Sequence, residues 1–123
     1  MSRGQIARWA LHETEADYDQ IVFDWGTKPK DFNSINPMGK VPVLVHHLND
    51  KDHVVTETAA ICHYLAETHP ETDLLPHNNE KAAYFRWLFF AAGPFEQAVI
   101  AQTIGWEVPN GRQSTTGFGS LSL

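Results

Sequence analysis

Two short apolar runs, residues 41–45 (VPVLV) and 53–56 (HVVT), flank a turn-rich segment at 48–52. Runs of this length bounded by turn residues read as strands, and so short a connection closes only an antiparallel hairpin. Pro42 constrains the pair further. Proline cannot donate to a sheet ladder, which confines it to strand starts, edges or bulges, and here it stands at a start. A helix follows directly: Thr56 is an N-cap residue type, Ala60, Ile61, Tyr64 and Leu65 form one helical stripe, and Pro70 lies just past the end.

The flanks extend this order. Ser2 and Gln5 match the capping box S-x-x-Q, and Ile6, Ala7, Ala10 and Leu11 fall on one stripe, predicting a helix over residues 3–14. Residues 18–25 (YDQIVFDW), with Ile21, Phe23 and Trp25 alternating, read as a strand. A strand–helix–strand unit needs a leading strand, so one is expected upstream of the first helix. Residues 26–40 read as a loop with at most one helical turn at 31–35. After the connector 70–77, Asn78 or Asn79 is expected to cap a longer helix carrying Ala83, Phe85, Leu88, Phe89 and Ala92. Gly93-Pro94 interrupts that pattern, giving one bent helix or two abutting ones as far as about Trp106. Residues 107–123 read as loop.

Composition removes several function classes. With 42% apolar and 20% charged residues the chain is globular rather than disordered. Nine basic residues against 15 acidic ones, scattered rather than clustered, leave no electrostatic footprint for nucleic acid or an anionic membrane. The one cysteine, Cys62, precludes an internal disulfide, a CxxC redox pair and a cysteine-based zinc site, and fits a reducing, cytoplasmic setting. The longest uncharged apolar stretch, 87–95, falls far short of the ~20 residues a membrane span needs.

Residues 36–44 (NPMGKVPVL) resemble the NPxGxVPxL segment of the soluble, bacterial-type glutathione S-transferases, and residues 56–61 (TETAAI) resemble that family's T-E-S-x-A-I. The opening SRGQIAR, the LAETHP and LLP stretches and the aromatic helix around 85–95 are also similar to bacterial members. The two motifs, one at a strand start and one at a helix start, are hard to imitate together by chance. The resemblance implies an α/β thioredoxin-like N-terminal domain with its first strand missing, residues 1–76, followed by the start of an all-α C-terminal domain, 77–123. By the same comparison the chain looks truncated at both ends.

What the resemblance implies about chemistry can be checked against residue types. It implies a cis Pro42, with the N–H and C=O of Val41 turned outward to pair with an extended peptide as an added strand. Thr58 lies at a helix start, where unpaired N–H groups and the helix dipole attract a carboxylate, and its hydroxyl adds a donor. The γ-glutamyl carboxylate of glutathione belongs there on this reading. Glu57 then answers the ligand's ammonium group, while Lys40 faces either a carboxylate or solvent. In the family a Tyr, Ser or Cys before the first helix hydrogen-bonds the thiol and lowers its pKa. Ser2 is the surviving hydroxyl in that region, a candidate catalytic residue or simply a helix cap.

The implied function is a glutathione S-transferase that conjugates or reduces small electrophiles with the glutathione thiolate, glutathione being co-substrate and no metal being required. The alternative is a non-catalytic, truncated relative that binds glutathione weakly or serves as an interaction module. Cys62 reads as a small core residue rather than a nucleophile. Of His46, His47 and His53, adjacent strand positions face opposite ways, so at most one of the first two could join His53 on a metal. The aromatic residues between Tyr84 and Phe95 cover more than one helical face, which fits core plus a subunit interface. The resemblance implies a homodimer through the helices around 57–68 and 80–104.

Overall fold

Asn49 and Asp50 both hold positive φ, 53° and 59°, the backbone of a two-residue hairpin turn that matches the twist of its strands. They join β1 (Val43–Leu48) to β2 (Lys51–Thr56) as an antiparallel pair in the register Leu44↔Val55 and His46↔His53. The ladder thus reaches closer to the turn than the apolar pattern indicated, and β1 begins one residue after Pro42 rather than at Val41. The computed structural model describes residues 2–116, and the chain divides into two compact units, Met1–Leu75 and Pro76–Leu123.

In the first unit, α1 (Gly4–Glu13) and α3 (Thr58–Thr68) supply the core against one face of the hairpin. Ala7 and Leu11 of α1 meet Ile61 and Leu65 of α3, each pair spaced i, i+4 on its own helix, with Ala10, Ala16, Leu44 and Val55 packed around them. His46 Nδ1 and Tyr64 Oη, 2.8 Å apart, tie β1 to α3 at the margin of that cluster. The predicted α1 stripe needs one correction, because Ile6 is 49% exposed. The helix turns Ala7 and Leu11 inward and carries Ile6 to the rim.

The end of α1 shows how this layer is closed. Glu15 takes φ 51°, its N–H bonds His12 O, and Ala16 N–H reaches back to Leu11 O. This Schellman arrangement satisfies the last carbonyls and presses Ala16 onto the core beside Leu11. Thr14, 2% exposed, donates its hydroxyl to Ala10 O at 2.9 Å.

The strand expected at residues 18–25 is not formed. Residues 18–24 carry no strand ladder among the described residues, Ile21 and Val22 are about four-fifths exposed, and a 3₁₀ turn, Trp25–Thr27, follows. β-propensity expresses fit to a pleated, half-buried surface, and no described strand lies alongside to provide one. Phe23 is held instead by an edge contact with the buried Phe32, 5.2 Å between ring centroids. Phe32 opens α2 (Phe32–Ile35), the one helical turn expected in this loop.

Capping departs from expectation at three helices. Ser2 Oγ accepts Gly4 N–H at 3.2 Å, and Gln5 N–H goes to Ser2 O, so the reciprocal Ser2–Gln5 box is not made. Thr56 ends β2, and Glu57 stands at the N-cap of α3 without a side-chain cap bond. In the second unit, Glu80 rather than Asn78 or Asn79 precedes α4 (Lys81–Phe90), its carboxylate accepting His77 N–H at 3.1 Å.

Within that unit, residues 81–104 form one helical run. A π-helical segment, Ala91–Phe95, holds Pro94 and leads into α5 (Glu96–Ile104) without a break. A π turn takes up the misfit of a residue that cannot donate to the ladder, which is why Gly93-Pro94 does not end the helix. Gly105, at φ 67°, ends it in a second Schellman motif, with Trp106 N–H bonded to Ala101 O. Phe85, Trp87, Phe89, Phe90 and Phe95 are exposed.

Candidate functional site

Three segments of the first unit meet at a shallow groove: the start of α1, the loop entering β1, and the junction of β2 with α3. Arg3, Asn36, Lys40, Val41, Pro42, Thr56, Glu57 and Thr58 line it, around a volume of about 40 Å³. Five of the six residues singled out from sequence (Lys40, Val41, Pro42, Glu57 and Thr58) share this lining, whereas Ser2 is not part of it.

The loop is built around Asn36. Only 5% exposed, Asn36 donates from Nδ2 to Lys40 O at 2.8 Å and accepts Met38 N–H on Oδ1 at 3.2 Å. Gly39 completes the turn at φ 64°, a conformation that costs a residue with Cβ but not glycine. These contacts deliver Lys40 and Val41 to the groove. The Val41-Pro42 bond is cis, and among the described residues no hydrogen bond engages the N–H or C=O of Val41. An extended main chain placed there finds both a donor and an acceptor.

At the opposite wall the backbone is forced. Glu57 sits at φ 68°, ψ 121°, a region that L-residues with side chains rarely adopt, while its carbonyl accepts Ile61 N–H and so starts α3. Strain of this kind persists where surrounding structure over-determines it, and it clusters at binding sites. The next residue is equally informative. Thr58 Oγ1 is buried and has no hydrogen-bond partner among the described residues. Leaving a buried hydroxyl unpaired costs about 1–3 kcal/mol, so the groove holds an unmet polar demand beside the free N–H groups of a helix start.

The charged lining residues are Arg3 and Lys40 against Glu57. Two cations, one carboxylate, a helix N-terminus and an open strand backbone suit a small zwitterionic peptide carrying more than one carboxylate. Arg3 and Asn36 were missed by sequence reasoning. Asn36 was quoted within a motif, but its role is to brace backbone through a buried amide, and nothing in the residue pattern marked Arg3 as pointing to this groove.

The family model for the glutathione S-transferase N-terminal domain matches residues 1–68. The chain belongs to the glutathione S-transferase family. It is 34% identical over 103 residues to glutathione S-transferase 2 of Schizosaccharomyces pombe, a match covering 79% of this chain and 44% of that protein. It is 47% identical over 79 residues to glutathione S-transferase Z2 of Arabidopsis thaliana, covering 62% and 34% respectively. Among solved structures, a sphingomonad glutathione S-transferase complexed with glutathione superposes with a TM-score of 0.68 at 28% identity, over 80% of this chain and 51% of that one. The chain therefore spans about a third to a half of the length of these relatives. The fold is the thioredoxin-like N-terminal domain of this family, here with a two-stranded sheet, and the helical C-terminal region begins after it.

Other candidates fall outside the groove. Cys62 is half-buried on α3, and desolvation pushes its thiol up, keeping it protonated and a poor nucleophile at neutral pH. His47 Nδ1 lies 2.6 Å from Asp52 Oδ1, and His46 is engaged with Tyr64. Among the described residues no group of three or more His, Cys, Asp or Glu side chains could hold a metal ion, and no helix is long and apolar enough to cross a membrane.

Proposed function

We propose that this chain binds glutathione along the groove and serves a glutathione S-transferase reaction in which the glutathione thiolate attacks a small electrophile. Carbon–sulfur bond formation then displaces a leaving group with its electron pair, or two glutathione thiols reduce the electrophile by two electrons and end as a disulfide. The unpartnered Thr58 hydroxyl at the start of α3, beside the strained Glu57, carries this reading. The γ-glutamyl carboxylate takes the Thr58 hydroxyl and the N–H groups of the first turn, the ammonium group faces Glu57, the cysteinyl main chain pairs with Val41, and the glycyl carboxylate faces Lys40. That a sphingomonad relative of the same fold was solved with glutathione supports the choice of ligand.

The test is retention of the folded chain on immobilised glutathione, with release by free glutathione. Retention that is lost in Glu57→Ala and weakened in Thr58→Val supports the reading; a parent protein that is not retained overturns it. Ser2 lies outside the groove lining, which favours one second reading, a protein that binds glutathione without turnover. Conjugation of a chromogenic electrophile above the buffer rate separates the two. A reducing compartment is part of the proposal, supported by the single cysteine, as is a homodimer through helices 57–68 and 80–104, supported by the exposed aromatic residues of α4.

A further inference from the structure

The turn that presents Val41 is held at two points, and one of them lies outside the groove. At the first, the Asn36 side chain bonds Met38 N–H and Lys40 O. At the second stands Lys28. Pro29 restricts the residue before it to extended backbone, and Lys28 sits at φ −53°, ψ 132°. Its Nζ lies 5.5 Å from the centroid of the buried Phe32 ring and donates to Asn33 Oδ1 at 2.8 Å. That bond abuts Gly39: a Cβ built on Gly39 would stand 3.4 Å from Lys28 Nζ and 3.5 Å from Asn33 Oδ1. Neither Lys28 nor Asn33 belongs to the groove lining, yet Lys40 and Val41, which do, directly follow Gly39.

We infer that Lys28 is a positioning residue for the glutathione groove: it clasps Asn33 against the Gly39 turn and so keeps the main chain of Val41 set for the ligand. The inference rests on the proposed function. Its physical basis is population. Glycine has the widest backbone freedom of any residue, and a turn free to move presents Val41 in its binding position only part of the time. Apparent affinity falls by that fraction, and a hydrogen bond from a charged donor that holds the turn restores it. Asn33 is exposed, so loss of the clasp leaves the core of α1 and α3 untouched.

The experiment is calorimetric titration of the full chain with glutathione and with γ-glutamylcysteine, which lacks the glycyl carboxylate, while circular dichroism confirms that each variant is folded. Lys28→Met, which keeps the stem over Phe32 but removes Nζ, should weaken both ligands by the same factor, about three- to tenfold. Asn33→Ala should match it, and the double variant should lose no more than either single one, because all three break one bond. Lys28→Arg, which keeps the donors, should recover most of the affinity, a rescue that loss of packing alone would not predict. Unchanged affinity in both Lys28→Met and Asn33→Ala overturns the assignment and leaves the proposed function standing. So does a loss in Lys28→Met seen with glutathione and absent with γ-glutamylcysteine, which would make Lys28 a direct partner of the glycyl carboxylate. Additive losses in the double variant overturn it as well. A parent chain that binds neither ligand overturns both the assignment and the proposed function.

Discussion

At Glu57 the usual order of substitutions should invert. Its φ of 68° and ψ of 121° place a side-chain-bearing residue where glycine alone is comfortable, and such strain costs about 1–3 kcal/mol. Glu57→Ala keeps Cβ and therefore keeps the strain, whereas Glu57→Gly removes it at an entropic cost of about 0.5–1 kcal/mol in the unfolded chain. Glu57 is exposed, so neither change opens a cavity. The difference leaves Gly more stable than Ala by up to about 2.5 kcal/mol, against the ordinary preference. For a unit of this size each kcal/mol moves the midpoint by roughly 4–8 °C, well within the reach of urea or thermal unfolding followed by circular dichroism. Both variants lose the carboxylate and should lose glutathione retention alike, so stability and binding move in opposite directions in Glu57→Gly. A Gly variant less stable than the Ala variant would refute the strain argument, and undiminished retention by either would refute the role given to the carboxylate. Glu15→Gly is the control: its φ of 51° makes it stabilising by about 1 kcal/mol, with binding unchanged because it lies at the far end of α1.

Thr58→Val should stabilise the unliganded protein by about 1 kcal/mol, since it removes a buried hydroxyl with no partner, while weakening glutathione binding; denaturant midpoints with and without glutathione check both signs. Asn36→Ala should destabilise by about 1–3 kcal/mol and weaken retention as well, because Lys40 O and Met38 N–H lose their partner and the loop carrying Val41 loosens. Ile61→Ala, at a side chain 1% exposed, should cost about 2–5 kcal/mol and abolish cooperative unfolding of the first unit. The raised Cys62 pKa means the folded state holds its proton longer than the unfolded state. Its contribution is therefore complete below the unfolded thiol pKa and falls as pH rises above it, and Cys62→Ala should flatten that alkaline decline.

What could be read in advance divides along a physical line. The hairpin, the helix behind it and the groove residues around Val41 and Glu57 were legible because each depends on neighbours in sequence: an apolar run, a proline that cannot donate, a helix start. Gly93-Pro94 announced a disturbance in the last helix, but whether it would break or bulge depended on how the backbone could absorb a missing donor. The segment 18–24 misled for the opposite reason. Its residues prefer a pleated surface, and whether a strand forms is decided by a partner rather than by preference.

By itself, then, the sequence determined the hairpin, the helices on either side of it, the lack of an internal disulfide among these residues and the cluster of residues that carries the family resemblance. Only the tertiary structure decided which of those residues share a surface. It set Arg3 and Asn36 beside Val41, Glu57 and Thr58, moved Ser2 away from them, and left one buried hydroxyl waiting for a partner. The reason is that helix and strand periods are written along the chain, whereas a binding groove is made where distant segments are brought together by a core, here Ala7, Leu11, Ile61 and Leu65.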